Sequence, residues 1–271
     1  MNKEFNKGLL LAGSGSFWWG FIGVIYFKSI TYIGHIELVI HRCLWSTFTL
    51  IITTFIFSKW NIFFEIIRST KILLYLFFSG SLIFINWAAW IYAIATDRII
   101  DASFGYFIMP ILSILLGYIF FREVLNKKRI FSIILVIVSI LYLVIMSYKS
   151  LPWLGLIVAL SWGFYNLFRK KINVDTDVGL LIEGLFILPF AITAFYIISI
   201  NGFNDFTIED PPMMLLIFLA GPMTVIPLFL YVRGVELCGL GPTGMIFYIT
   251  PTLQFLLGFF YYDEVFSLNK L

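Results

Sequence analysis

The chain has 271 residues, of which 61% are hydrophobic and 12% are charged, and its formal net charge is +3. The mean hydropathy is +0.99, whereas a water-soluble globular domain carries about 25% charged residues. This composition excludes an ordinary soluble enzyme or nucleic-acid-binding domain and predicts a protein embedded in a membrane. Because backbone polar groups in lipid must be satisfied within the segment, an all-α transmembrane fold is expected.

Nine apolar runs follow one another along the chain, each long enough to cross a hydrocarbon core of roughly 30 Å as a helix. The first run follows MNKEFNK and lacks a small-residue cleavage site, so it is interpreted as a retained span and not a signal peptide. The predicted spans are Gly8–Phe27, Ile36–Phe57, Ile72–Ala95, Ala102–Phe121, Ile130–Ser147, Leu151–Phe168, Gly179–Ile200, Met213–Val232 and Gly241–Tyr262.

The basic residues between these spans predict the orientation, because Lys and Arg resist translocation. With the N-terminus in the cytoplasm, the external segments hold only Lys28, Arg98, Lys149 and Lys270. The cytoplasmic segments then hold Lys3, Lys7, Lys59, Arg68, Lys71, Arg122, Lys127, Lys128, Arg129, Arg169, Lys170, Lys171 and Arg233. The sequence therefore predicts a cytoplasmic N-terminus.

Two stretches of the chain resemble each other at a constant spacing. Pro110 and Pro251 are 141 residues apart (251 − 110), as are Gly117 and Gly258 (258 − 117) and the pair Glu123 and Glu264 (264 − 123). A repeat unit of five helices is odd in number and must invert on duplication, an architecture of secondary transporters. We expect a first repeat at residues 1–148 and a second, inverted repeat at 149–271. The second repeat would lack its tenth helix, so the chain is expected to be truncated.

Six further stretches resemble the RarD branch of the EamA family in the drug/metabolite transporter superfamily, and the resemblance extends over nearly the whole chain. They are ELVIHRCLWS (Glu37–Ser46), NWAAWIYA (Asn86–Ala93), DASFGYFIMP (Asp101–Pro110), FRKKI (Phe168–Ile172), GLLIEGL (Gly179–Leu185) and YITPT (Tyr248–Thr252). The resemblance implies an inverted five-plus-five helix repeat, a bacterial inner-membrane location and transport linked to chloramphenicol sensitivity. Met109 and Phe247 depart from the residues that this family usually has near the two prolines.

Ionisable residues inside predicted spans are costly in lipid and point to function. Glu37 and His41 lie one turn apart on the second span, so they are able to pair or to pass a proton. Arg42 faces another direction and suits a carboxylate of cargo or protein. Glu183 opens the seventh span, the proposed counterpart of the second. The alternative interpretation makes Arg42 and Glu183 struts between helices and Glu37 an interfacial group.

Two prolines and several polar or aromatic residues complete the candidate site. Pro110 and Pro251 free the carbonyls of Tyr106 and Phe247, which either belong to a packing kink or line a wet cavity. Of six aromatic residues within spans, about a third are expected to touch cargo: Trp19, Trp45, Trp87, Trp90, Trp162 and Tyr165. The selected solute-binding residues are Trp19, His41, Arg42, Asn86, Trp90, Tyr106, Asn166, Tyr248 and Gln254, and the coupling or gating candidates are Glu37, Glu183, Pro110 and Pro251.

A permease for a small metabolite or drug-like solute accounts for the repeat, the paired prolines and the buried polar groups together. An enzyme is disfavoured because there is no HExxH motif and the chain has only two histidines, His35 and His41. Without a GxxxxGK[ST] motif, active transport would need an ion gradient, with a proton on Glu37, His41 or Glu183 as the expected coupling ion. No metal or cofactor is predicted. The alternative function is a truncated or accessory membrane protein without transport activity of its own.

Overall fold

The computed structural model describes residues 3–124, 127–143, 153–172, 174–207 and 210–263, and all regular structure within these ranges is helical. The helices are α1 (Lys3–Phe17), a π-helical turn (Trp18–Ile22), α2 (Gly23–Ser29), α3 (His35–Ile56), α4 (Trp60–Ile66), α5 (Thr70–Ala95), α6 (Ile99–Phe121), α7 (Lys127–Leu143), α8 (Trp153–Lys171), α9 (Thr176–Ile200), α10 (Pro211–Cys238), α11 (Leu240–Phe247) and α12 (Ile249–Phe260).

Seven helical segments of the described chain are long and apolar enough to cross a membrane, so the predicted all-α transmembrane fold is confirmed. They are Lys3–Ser29, His35–Ile56, Thr70–Ala95, Ile99–Phe121, Thr176–Ile200, Pro211–Cys238 and Leu240–Phe260. α7 and α8 overlap the predicted fifth and sixth spans, but residues 144–152 lie outside the described residues. The predicted total of nine spans, the repeat boundary at 148 and 149, and Glu264 therefore stay predictions.

Two of the predicted spans are interrupted in the structure. The first contains the π-helical turn, where Gly20 packs so closely on α12 that an added Cβ would lie 3.0 Å from Thr250 Cα. The last divides at Tyr248 into α11 and α12. Pro251 is the third residue of α12, where a helix has no use for a backbone N–H donor. By contrast, Pro110 lies inside an unbroken α6.

The spacing of 141 residues extends to the helix boundaries. α9 starts 141 residues after α3 (176 − 35), α10 after α5 (211 − 70) and α11 after α6 (240 − 99). The helix contacts follow the same correspondence. α1 packs along α10, and α5, the counterpart of α10, packs along α8. α3 contacts its own counterpart α9, and α6 contacts α11 and α12. The matched helices thus occupy matched positions in the bundle.

Glycines permit two of these matched contacts. Gly80 on α5 and Gly221 on α10 are themselves 141 residues apart (221 − 80). A Cβ on Gly80 would lie 3.1 Å from the Glu183 carbonyl oxygen, and one on Gly221 would lie 2.2 Å from the Trp45 carbonyl oxygen. Small residues allow helix backbones to approach closely in membranes, where packing drives association. The helix pairs α5–α9 and α3–α10 therefore both pack closely at a glycine.

Candidate functional site

A small closed cavity lies where the two sets of matched helices meet. The space open to the centre of a water molecule is about 20 Å³, enough for about one water. Its lining comes from the π-helical turn and from α3, α5, α6, α8, α11 and α12. The lining residues are Trp19, Arg42, Asn86, Trp87, Trp90, Tyr106, Trp162, Phe247, Thr250 and Gln254.

Arg42 carries the only formal charge among these ten described lining residues. Its guanidinium lies 4.7 Å from the ring centroid of Phe27, 4.9 Å from that of Trp87 and 5.3 Å from that of Trp90. Nε donates a hydrogen bond of 3.1 Å to Thr224 Oγ1, whereas Nη1 is buried without a hydrogen-bond partner. None of the ion pairs within the described ranges includes Arg42. A buried cation is thus surrounded by aromatic rings and lacks a counter-ion.

A second polar group in the cavity is fully satisfied. Asn86 Nδ2 donates to the Val158 carbonyl and to Ser161 Oγ, both at 3.1 Å. The Tyr106 hydroxyl donates to Asn86 Oδ1, also at 3.1 Å. Asn86 therefore links α5 to α8 and α6, which fits the interhelical hydrogen bond that a lone amide in a span requires. Gln254 contacts Ser103 Oγ through its Oε1 at 3.4 Å, while its Nε2 is buried without a partner.

The helix segments that precede the two prolines lie beside this cavity. Pro110 and Pro251 are both buried. Tyr106 and Phe247, each four residues before one of them, both line the cavity, and their rings meet with centroids 5.4 Å apart. Trp19 enters the cavity from the π-helical turn, a type of irregularity that is frequent at functional sites. The irregular parts of three spans therefore converge on one place.

His41 and Glu37 lie at the start of α3, outside the cavity lining, so solute binding by His41 stays a prediction. Glu37 Oε1 is 3.4 Å from His41 Nε2, which is the pairing the spacing predicts. Glu37 also accepts hydrogen bonds from the backbone N–H groups of Asp205 at 2.6 Å and Phe206 at 3.0 Å. The Phe206 ring lies 5.0 Å from the imidazole of His41. We call this contact between α3 and the loop before α10 the Glu37 latch.

Glu183 is buried on α9 and belongs to an ion pair that the sequence did not reveal. Arg169 Nη1 lies 3.5 Å from Glu183 Oε1, the Tyr165 hydroxyl donates to Oε2 at 3.4 Å, and Ser79 also donates to the carboxylate. The orientation count places Arg169 in a solvated loop, but the structure buries it on α8. The reason is that the basic run Arg169–Lys171 lies within the last turn of α8, where Arg169 contacts α9. Of the alternatives, the strut fits the surroundings of Glu183.

Two other predicted residues also lie outside the lining. Asn166 donates to the Trp162 carbonyl at 2.9 Å within α8, and Tyr248 lies half-buried beside Phe107 at the α11–α12 break. Asn166 lies one turn beyond the lining residue Trp162 on the same face of α8, and Tyr248 directly follows the lining residue Phe247. Four lining residues were not selected as solute-binding residues: Trp87, Trp162, Phe247 and Thr250. Trp87 lies three residues before Trp90 and so on the same helix face, which is a sequence signal for it. The signal for Phe247 is its position four residues before Pro251.

A second contact of this kind lies just after the C-terminal end of α6. Glu123 Oε1 accepts from the backbone N–H of Leu240 at 2.9 Å, and Oε2 accepts from that of Gly241 at 2.8 Å. These are the first two N–H groups of α11, which have no partner within the helix, and a carboxylate there also complements the helix dipole. We call this contact between the end of α6 and the start of α11 the Glu123 latch. Each latch ties a first-half residue to a second-half backbone.

Membrane-spanning helices that surround a polar cavity, with irregular helix segments beside it, are typical of membrane transport proteins. The comparisons with known proteins agree. The model of the EamA-like transporter family matches residues 6–145, and the chain belongs to this family, as a RarD-like member.

Three relatives match nearly the full length. An uncharacterized transporter YojE of Bacillus subtilis is 32% identical over 99% of this chain and 90% of its own. Protein RarD of Escherichia coli is 35% identical over 97% of this chain and 88% of its own. Protein RarD of Salmonella typhi is 34% identical over 99% of this chain and 91% of its own.

Proposed function

We propose that this protein is a secondary permease that moves a small solute across the bacterial inner membrane by alternating access. The observation that carries the proposal is the shared cavity. Trp19, Arg42 and Tyr106 reach it from the first half, and Trp162 and Gln254 reach it from the second. A site at the contact between two matched halves changes its exposure when one half rocks against the other.

The two latches support alternating access because they lie at opposite ends of the bundle. With the N-terminus in the cytoplasm, the Glu37 latch is on the external side and the Glu123 latch is on the cytoplasmic side. Both are closed, and the cavity between them holds about one water. Opening the Glu37 latch alone would admit a solute from outside, and opening the Glu123 latch alone would release it inside.

Proton coupling is assigned in this proposal to the Glu37 latch. Its carboxylate accepts hydrogen bonds from two loop N–H groups and lies 3.4 Å from the imidazole of His41. Protonation of Glu37 would remove the charge that strengthens both hydrogen bonds. External protons would thereby favour release of the loop. Glu183, which Arg169 neutralises, has the weaker claim to this role.

The test is solute flux in proteoliposomes that contain the purified full chain. A panel of labelled amino acids, quaternary amines, monocarboxylates and chloramphenicol is offered with and without an inward proton gradient. We expect saturable uptake of at least one class, and faster uptake with the gradient. The absence of protein-dependent flux for every class, with the protein shown to be folded, would contradict the transport function.

Alternating access is tested by locking the external side. The backbone N–H of Gly34 donates to Asp205 Oδ2 at 2.8 Å, so cysteines at these two positions are close enough to be cross-linked. The double variant Gly34→Cys/Asp205→Cys, made without the native Cys43 and Cys238, should lose transport on oxidation and regain it on reduction. Each single-cysteine variant is the control. Equal transport by the oxidised and reduced double variant would contradict the mechanism.

A further inference from the structure

We infer that the cavity, once an opened latch has widened it beyond its present room for about one water, binds a monoanion with a flat aromatic body, such as a small aromatic monocarboxylate. This inference rests on the proposed function for its physiological meaning, because it names the solute class of the same site. It rests on the geometry around Arg42 for its chemistry. The features that carry it are an uncompensated buried cation, an unpartnered donor and a lining made mostly of aromatic rings.

The charge of Arg42 requires an anion. Its side chain is 3% exposed, and Nη1 has no hydrogen-bond partner. Taking an unpaired ion out of water is costly even after the protein relaxes. The contacts with three aromatic rings and the one hydrogen bond to Thr224 offset part of this cost, but they do not neutralise the charge. A carboxylate that accepts from the guanidinium would supply the missing counter-charge.

The lining specifies the rest of the ligand. Six of its ten residues are aromatic, and aromatic rings pack on flat apolar groups in edge or offset contacts. Arg42 supplies one positive charge and no lining carboxylate supplies a negative one, so a zwitterion would leave its ammonium group without an ionic partner. A neutral solute would leave the charge of Arg42 without a counter-ion. The site therefore favours a single negative charge on an aromatic body.

The experiment measures binding by the purified chain in detergent, which does not depend on transport. Four tryptophans line the cavity, so intrinsic fluorescence reports its occupancy. The probes are phenylacetate, phenylacetamide, phenethylamine, L-phenylalanine and chloride. We expect saturable binding of phenylacetate, with the isosteric amide at least about tenfold weaker because it lacks the charge-assisted bond to Arg42. Equal binding of phenylacetate and phenylacetamide would overturn the inference, and so would a chloride response that phenylacetate does not exceed.

Arg42 variants assign the preference to this side chain. Arg42→Gln should bind phenylacetate and phenylacetamide equally weakly, while Arg42→Lys should keep part of the preference through its charge. Arg68→Gln, at an exposed arginine between α4 and α5, is the matched control and should behave as the parent. A preference that survives Arg42→Gln would overturn the assignment. If that variant fails to fold, the comparison of acid and amide on the parent chain and on Arg42→Lys decides.

The outcomes separate this inference from the proposed function. Anion-selective binding without flux would contradict the permease and leave the site intact. Flux of neutral or cationic solutes, with no preference for the carboxylate, would overturn the anion site and leave the permease intact.

Discussion

Two buried arginines in this protein have opposite surroundings. Arg169 is 1% exposed and Arg42 is 3% exposed. Arg169 lies 3.5 Å from Glu183 and 3.9 Å from Glu236, and it donates to the Thr176 carbonyl at 3.1 Å. Arg42 has aromatic rings, one hydroxyl and no carboxylate within the described structure. The contrast separates a buried charge that the protein itself neutralises from one that, in the proposed function, is left for a solute to neutralise.

The repeat makes this contrast sharper. Arg42 and Glu183 are 141 residues apart (183 − 42), the same spacing that relates α3 to α9. Equivalent positions in the two halves therefore carry opposite charges. Glu183 is compensated by Arg169 from α8, whereas none of the described residues that line the cavity supplies an acid to Arg42.

Removing Arg169 tests the structural side of the comparison and should have the largest effect. Arg169→Gln leaves Glu183 buried without its cation, and breaking a buried ion pair in this way costs about 3 to 5 kcal/mol. Denaturant or thermal unfolding of the purified protein measures the loss. Replacing both partners, as in Arg169→Met/Glu183→Leu, should recover most of the stability, because an apolar pair of similar volume costs little. A single variant as stable as the parent would show that the pair is not a strut.

Removing Arg42 should reduce solute flux while changing the stability of the protein little. Arg42→Gln is expected to reduce solute flux by at least about tenfold, because a charge-assisted bond to the solute is lost. The free energy of unfolding should change by less than about 1 kcal/mol or increase, since no internal ion pair is broken. Proteoliposome flux and unfolding are measured on the same preparations. A loss of stability comparable to that of Arg169→Gln would make Arg42 a second strut.

Glu37→Gln separates the latch from the cavity. The amide keeps one acceptor, so one of the two bonds to the Asp205 and Phe206 N–H groups is lost, at a cost of about 1 to 2 kcal/mol. Binding in the cavity should be unaffected, but the acceleration of uptake by an external proton gradient should disappear. Uptake at several external pH values measures this. A response to the gradient that is unchanged in Glu37→Gln would move the proton site elsewhere.

The smallest effect is expected where a charge pair lies outside the spans. Lys59 Nζ lies 3.0 Å from Asp175 Oδ1, at the junction of α3, α4 and α9. Burial alone would lower the pKa of Lys59, but hydrogen bonds to Asp177 and Asp175 raise it above its ordinary 10.5. Lys59→Met should cost only about 0.2 to 1 kcal/mol, because partly exposed pairs contribute little.

The pH dependence of that pair has a defined sign. Burial would raise the pKa of Asp175, but its hydrogen bonds, to Asp177 first and then to Lys59, lower it below the ordinary 3.8. The contribution of the pair to the free energy of unfolding is therefore complete between pH 3.8 and pH 10.5, the ordinary pKa values of Asp and Lys. It is lost as the pH falls through the folded-state pKa of Asp175, or rises through that of Lys59. A difference between Lys59→Met and the parent that varies between pH 5 and 9 would contradict this pair as its source.

The sequence predicted the parts of the fold that depend on composition and spacing. Apolar runs predicted the spans, and Pro110 with Pro251 predicted the repeat that the starts of α3, α5 and α6 now extend. It did not predict the break at Tyr248 or the π-helical turn, since neither has a pattern in hydropathy. Both arise where two helices approach closely, and that packing is a tertiary effect.

The site was predicted in part for a similar reason. Trp19, Arg42, Asn86, Trp90, Tyr106 and Gln254 were selected and do line the cavity. His41 is predicted as an ionisable group inside a span that can pair with Glu37, and the structure shows that pairing outside the cavity lining. The inward direction of Arg169 is not predicted, because a basic residue beside Lys170 and Lys171 is usually solvated. Only its contacts with Glu183 and Thr176 of α9 show that its side chain points inward.

The break at Tyr248 limits how the last described span can move. At 1.5 Å per residue, α11 is about 12 Å long and α12 about 18 Å long. Neither piece alone crosses a hydrocarbon layer of roughly 30 Å, but end to end they do. Pulling them apart would expose unpaired peptide groups to lipid. The break at Tyr248 therefore permits a change in the angle between α11 and α12 but not their separation. Phe247 and Thr250 lie on either side of the break, so such a change of angle would move both relative to the cavity.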